Sequence, residues 1–170
     1  MTTSTEHEPA PATRWLAFLP AAVIGLVGRW WLIAGHQPRW WRDSHDYLAV
    51  GRHRLLSSEL WLGARPPLVP LLLAATGGHP GHRFMVLQVV VAALAWAWLA
   101  SELVVRARCT AVGCGLAVAL VGFSLAWPVT LWDRSVLTES VRLSLLAVVT
   151  ASGLRFADRP RRWSGAVLVC

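Results

Sequence analysis

Residues 84–105 read FMVLQVVVAALAWAWLASELVV. A helix rises about 1.5 Å per residue and a bilayer's hydrocarbon core is about 30 Å thick, so this run is long enough to cross it once. Arg106 and Arg108 close it. Similar runs lie on either side, WLAFLPAAVIGLVGRWWLIAG over 15–35, a Gly- and Ala-rich stretch over 109–129, and VLTESVRLSLLAVVTASGL over 136–154. WSGAVLVC, residues 163–170, reads as the start of a fifth. The expected fold is all-α: a polytopic membrane helical bundle with four spans and a partial fifth.

Composition agrees. Hydrophobic residues make up 55% of the chain, mean hydropathy is +0.49, and charged residues are 15%, against about 25% in soluble domains. Eleven tryptophans suit a chain that meets two membrane–water interfaces, where the ring is buried and its N–H stays wet. The net charge of +7 comes from arginines alone. They are scattered among apolar spans and form no continuous stripe, so no nucleic-acid partner is expected. Cys109, Cys114 and Cys170 lack metal or redox spacing and read as small packing residues.

Residues 1–14, polar and Pro-containing, read as a disordered cytoplasmic tail, and 15–170 as one membrane domain. Short loops carry the positive-inside signal best. The segments 106–108 and 155–162 are basic, while WPVTLWDRS, read as a short loop, balances Arg134 with Asp133. The N-terminus is therefore expected inside and 36–83 outside. In that outer segment a surface helix is expected over 44–57, capped by Asp43 or Ser44. A second is expected over 66–75, with proline tolerated in its first turn. Both should lie along the interface. Arg29 is expected to snorkel to the interface at the end of its span.

The densest ionisable cluster, WRDSHDYLAVGRHRL (41–55), sits beside the first span. It belongs to an ordered set: Asp43-Ser44-His45-Asp46-Tyr47, then Arg65-Pro66-Pro67-Leu68-Val69-Pro70, then Thr138-Glu139-Ser140. That order, beside matching spans, resembles the N-terminal part of the GT-C superfamily of membrane glycosyltransferases, which includes protein O-mannosyltransferases and the lipid A aminoarabinose transferase. The resemblance implies transfer of a sugar from a polyprenyl-phosphate donor to an acceptor on the outer face of a bacterial inner (plasma) membrane. It implies Asp43 and Glu139 as catalytic residues, Arg65 and Tyr47 as substrate-binding residues, and a divalent metal on Asp43. Family members have more spans than the four and a stub read here. The chain therefore reads as an N-terminal fragment, with a second chain supplying the missing spans.

The chemistry of these side chains is compatible. A carboxylate can activate an acceptor or hold a metal, and the planar guanidinium fork of Arg suits a leaving phosphate. Asp43, Arg65 and Glu139 are expected at one membrane depth, in one cavity. Each has a plainer reading. Asp43 is a solvated loop acid or helix cap, paired with Arg42. Asp46 is a poorer candidate than Asp43. Arg65 is a snorkelling interfacial cation. Glu139 pairs with Arg142 at i, i+3, and Gln88 makes a helix–helix hydrogen bond. His45 and His53, eight apart, do not make helix-spaced ligands. The rival from another class is a non-catalytic multi-span protein that binds membrane lipid or a partner subunit.

Overall fold

The structure, a computed structural model, describes residues 11–53, 57–62, 65–107, 109–136 and 138–158. The expected partial span at 163–170 lies outside them. The described residues are helical, with no strand among them. In chain order the helices are α1 (Pro11–Ile33), α2 (Ser44–Gly51), α3 (Ser58–Leu62), α4 (Leu68–Ala75), α5 (His82–Arg106), α6 (Thr110–Ser124), α7 (Trp127–Asp133) and α8 (Glu139–Asp158). Three, over Arg14–Ile33, His82–Arg106 and Glu139–Ala157, are long and apolar enough to cross a membrane. A fourth is added if α6 and α7 form one span.

α5 is the central helix and packs on α1, α6 and α8. Small side chains set these contacts. Ala21 and Ala22 of α1 meet Ala97 and Ala100 of α5, with Val121 of α6 beside them. Ala92, Ala95, Trp96 and Leu99 meet Ala147 and Ala151 of α8. Where lipid offers no hydrophobic drive between helices, such residues let backbones approach and gain dispersion contact. At the other end of α1, Ile33 packs on Met85 and Val89. The pairings 21–22 with 97–100 and 33 with 85–89 make α1 antiparallel to α5.

Several boundaries differ from expectation. α1 begins at Pro11, so residues 11–14 extend the helix rather than a tail. The 109–129 run is not one helix. It breaks after Ser124 and resumes at Trp127 with a bend of 58°. WPVTLWD, read as loop, is helical. Proline explains the break. A continuous helix would need the residue-128 N–H to donate to Ser124, and Pro128 has none. The first-loop helix ends at Gly51 rather than at 57, and neither Asp43 nor Ser44 caps it through a side chain. α4 closely matches its expectation. Gly77 and Gly78, at φ +96° and +75°, turn the chain between α4 and α5, a backbone conformation that glycine adopts without a Cβ penalty.

Two ends of the bundle are distinguishable. The first connection meets the α7–α8 connection through a parallel bridge between Arg39 and Ser135. At the opposite end Arg14, Glu102 and Arg155 line one pocket.

Candidate functional site

The chain leaves α1 through Gly35, at φ +75°, and is then tied down residue by residue. Arg39 N–H donates to the Arg134 carbonyl at 2.7 Å, and Val136 N–H donates to the Arg39 carbonyl at 3.3 Å. The Trp41 indole N–H donates to Ser135 Oγ at 3.1 Å, and its ring lies 6.0 Å from that of Trp132. Ser44 Oγ accepts the Trp41 backbone N–H at 2.9 Å and donates to the Val136 carbonyl at 3.2 Å. These bonds fix the start of α2 against the entry to α8.

α2 then presents Asp43, Asp46 and Tyr47 at i, i+3 and i+4, a spacing that puts them on one face. Tyr47 is 5% exposed and packs with Leu48, Val69, Leu73, Phe84, Val136 and Val141. α2 lies so close to α4 that a Cβ on Gly51 would sit 2.8 Å from Leu73 Cβ. Pro66 and Pro67 stiffen the approach to α4 and so hold Arg65. Its guanidinium hydrogen-bonds Asp46, lies 3.6 Å from Asp43 and stands 5.4 Å above the Tyr47 ring. The Asp46 hydrogen bond, with the charges of Asp46 and Asp43, raises the Arg65 pKa above its already high value. The Asp43 and Asp46 side chains are 57% and 59% exposed, so the site is open. Arg134 nearby is pushed the other way, by burial and by the charge of Arg39.

The structure therefore brings Asp43, Tyr47 and Arg65 together, with Asp46, the poorer candidate in the sequence, nearest the cation. Asp43 pairs with Arg65 rather than Arg42. Glu139 begins α8, three residues after the Val136 that anchors Ser44. Its Oε2 is buried with no hydrogen-bond partner, and neither the expected Arg142 pair nor any bond to Arg65 forms. Among the described residues no three His, Cys, Asp or Glu side chains form a metal-binding group. Asp43 and Asp46 would supply only part of a coordination shell. Tyr47 is a buried platform beneath the cation, not an open contact.

Sequence reasoning missed the most deeply buried ionic pair. Arg29 does not snorkel. It is 0% exposed and bonds Asp133, itself 1% exposed. Its second nitrogen donates at 2.9 Å to the Ser124 carbonyl, the acceptor left open by Pro128. Ser140 Oγ donates to the other Asp133 oxygen at 2.6 Å. Gln88, expected to bridge helices, is 1% exposed with neither amide atom partnered. It stands beside Val89, which packs with Ile33 at the C-terminal end of α1. The available signal was a cation inside an apolar helix, since intramembrane charges pair with one another; its partner Asp133 was hidden in a segment read as a loop.

An apolar groove of about 450 Å³ lies among α4, α5 and α8. It starts at Leu68, three residues after Arg65, and runs between α5 and α8 past Val91, Leu94 and Val148. No family model, curated protein or solved structure matches the chain.

Proposed function

We propose that the chain is a GT-C-type glycosyltransferase or its N-terminal part, moving a sugar from a polyprenyl-phosphate donor to an acceptor at the outer face of a bacterial plasma membrane. The observation that carries this reading is the meeting of Arg65 with Asp43 and Asp46, three residues before the Leu68 that lines an apolar groove. A lipid phosphate needs a cation at the surface and an apolar path below it. In the transfer the acceptor hydroxyl oxygen attacks the anomeric carbon and its proton passes to Asp43. The bond from that carbon to the phosphate oxygen breaks, and polyprenyl phosphate leaves with its charge met by Arg65. For phosphate to reach Arg65, Asp46 must release it. Glu139 would bind the acceptor from the start of α8. A divalent metal, when bound, would be held by Asp43 and Asp46 and would supply charge to the leaving phosphate. No step above depends on it.

The test is transfer of radiolabelled sugar from a polyprenyl-phosphate donor in proteoliposomes. Asp43→Asn should cut turnover by about 10²–10⁴, the usual worth of general acid–base catalysis, with the helical signal intact. Arg65→Ala should weaken donor binding first. Wild-type turnover by Asp43→Asn removes Asp43 from the chemistry.

The Asp46–Arg65 bond also favours a second reading, a non-catalytic lipid- or partner-binding protein, because it neutralises the cation within the chain. Absence of transfer by the wild-type chain, with donor binding retained, would select it.

A further inference from the structure

The other end of the bundle carries a second lipid-facing feature that the transfer chemistry does not use. A pocket of about 360 Å³ is lined there by Arg14, Trp15, Phe18, Trp98, Glu102 and Arg155. Glu102, 1% exposed, forms its floor. Arg106 hydrogen-bonds its carboxylate from one turn further along α5, and the Trp98 indole N–H donates to it at 3.3 Å. Arg14 Nε lies 3.9 Å from the same carboxylate and, buried, has no hydrogen-bond partner. Among the described side chains, Arg14, Arg106 and Arg155 gather round the Glu102 carboxylate.

Phe18 and Trp98 line this pocket and also the apolar groove between α5 and α8. The two are therefore adjacent. Walls of the groove left exposed among the described residues include Leu94 and Leu145, each 41% exposed. An arginine-lined pocket at the end of membrane-crossing helices, beside an apolar trough, matches one kind of molecule: an acidic headgroup joined to hydrocarbon chains.

The geometry points to a binding site for an anionic phospholipid, its phosphate against Arg14 and Arg155 and an acyl chain in the α5–α8 groove. Basic pockets between helices recognise acidic headgroups in this way, and the guanidinium fork matches phosphate oxygens. Charge selects the lipid. A zwitterionic headgroup would bring its own cation towards the arginines. The inference needs only that these helices cross a membrane; its headgroup contacts, Arg14 and Arg155, take no part in the proposed transfer, although the acyl chain would share the groove proposed for the polyprenyl donor.

The test titrates delipidated protein in detergent with dioleoylphosphatidylglycerol or dioleoylphosphatidylcholine, counting bound lipid by native mass spectrometry. One phosphatidylglycerol should bind at least about tenfold more tightly than phosphatidylcholine, the factor expected of one added charge-assisted hydrogen bond. Arg14→Gln with Arg155→Gln should erase that preference. Arg42→Gln with Arg83→Gln, at the opposite end, should preserve it. Val148→Trp, which fills the groove, should weaken both lipids. Equal binding of the two lipids by the wild-type chain overturns the proposal even if no variant folds. A preference that survives loss of Arg14 and Arg155, or vanishes with Arg42 and Arg83, overturns it too.

Discussion

At the scale of single residues, the Arg29–Asp133 pair makes the strongest demand on the fold. Both charges are out of solvent, and removing one partner of such a pair typically costs about 3–5 kcal/mol because the other is left buried and unanswered. Arg29→Leu and Asp133→Leu should each lose about that much in a detergent unfolding titration, while the double variant should lose less than either. A double-variant loss equal to the sum of the two single losses would mean that the two charges are not coupled. Cys109 offers a milder test. Backbone N–H groups of Val112 and Ala111 at the start of α6 favour its thiolate and lower its pKa. Its alkylation should therefore accelerate at lower pH than the roughly 8.5 midpoint of a free cysteine. A midpoint at or above that value would contradict the helix-terminus contact.

Among the elements, the α2–α4 contact decides whether Arg65 meets its acids. Gly51 permits it, since an added Cβ would lie 2.8 Å from Leu73 Cβ and 3.3 Å from the Pro70 carbonyl oxygen. Gly51→Ala should cost about 1–3 kcal/mol, the range for overpacking, and should separate Asp46 from Arg65. A crosslink between cysteines at 46 and 65 should then form more slowly than in the parent; an unchanged rate would remove Gly51 from the site's support. The span positions were legible because apolar runs near 20 residues leave the backbone little choice but helix in lipid. The α6–α7 break was less so. Hydropathy over 109–129 hides it, and its cause is one missing N–H at Pro128 whose effect surfaces on Arg29. The ordered motifs located Asp43, Tyr47 and Arg65. They could not rank Asp46 above Asp43, because that depends on which acid α2 turns towards Arg65. Nor could they place Glu139, whose local Arg142 pairing was a reasonable helix-surface expectation that the buried start of α8 does not meet.

For the whole molecule, the first connection and the α7–α8 connection share one end, and Arg14, Arg106 and Arg155 share the other. This pairing of ends holds whichever side faces the cytoplasm. With the basic end inside, a cysteine at 58 should react with an impermeant maleimide in intact cells, and one at 158 should react only after permeabilisation, both on a Cys-free background. The reverse pattern inverts the orientation. Reaction of both in intact cells would contradict the arrangement of the ends.

The distance between Arg29 and Asp133 along the chain, 104 residues, has a consequence in time. At about 5–20 residues per second of synthesis, α1 is made roughly 5–20 s before its acid exists. An arginine by itself costs about 2.5–3.5 kcal/mol at the centre of a span on insertion scales, and less near the end of α1, where Arg29 lies. The nascent first helix should therefore ride shallow, with Arg29 in the headgroups, and sink only once α7 leaves the ribosome. Ribosome-stalled chains ending before residue 133 should show Arg29 nearer the aqueous phase than chains ending beyond 158, as a depth-reporting probe at position 30 would read.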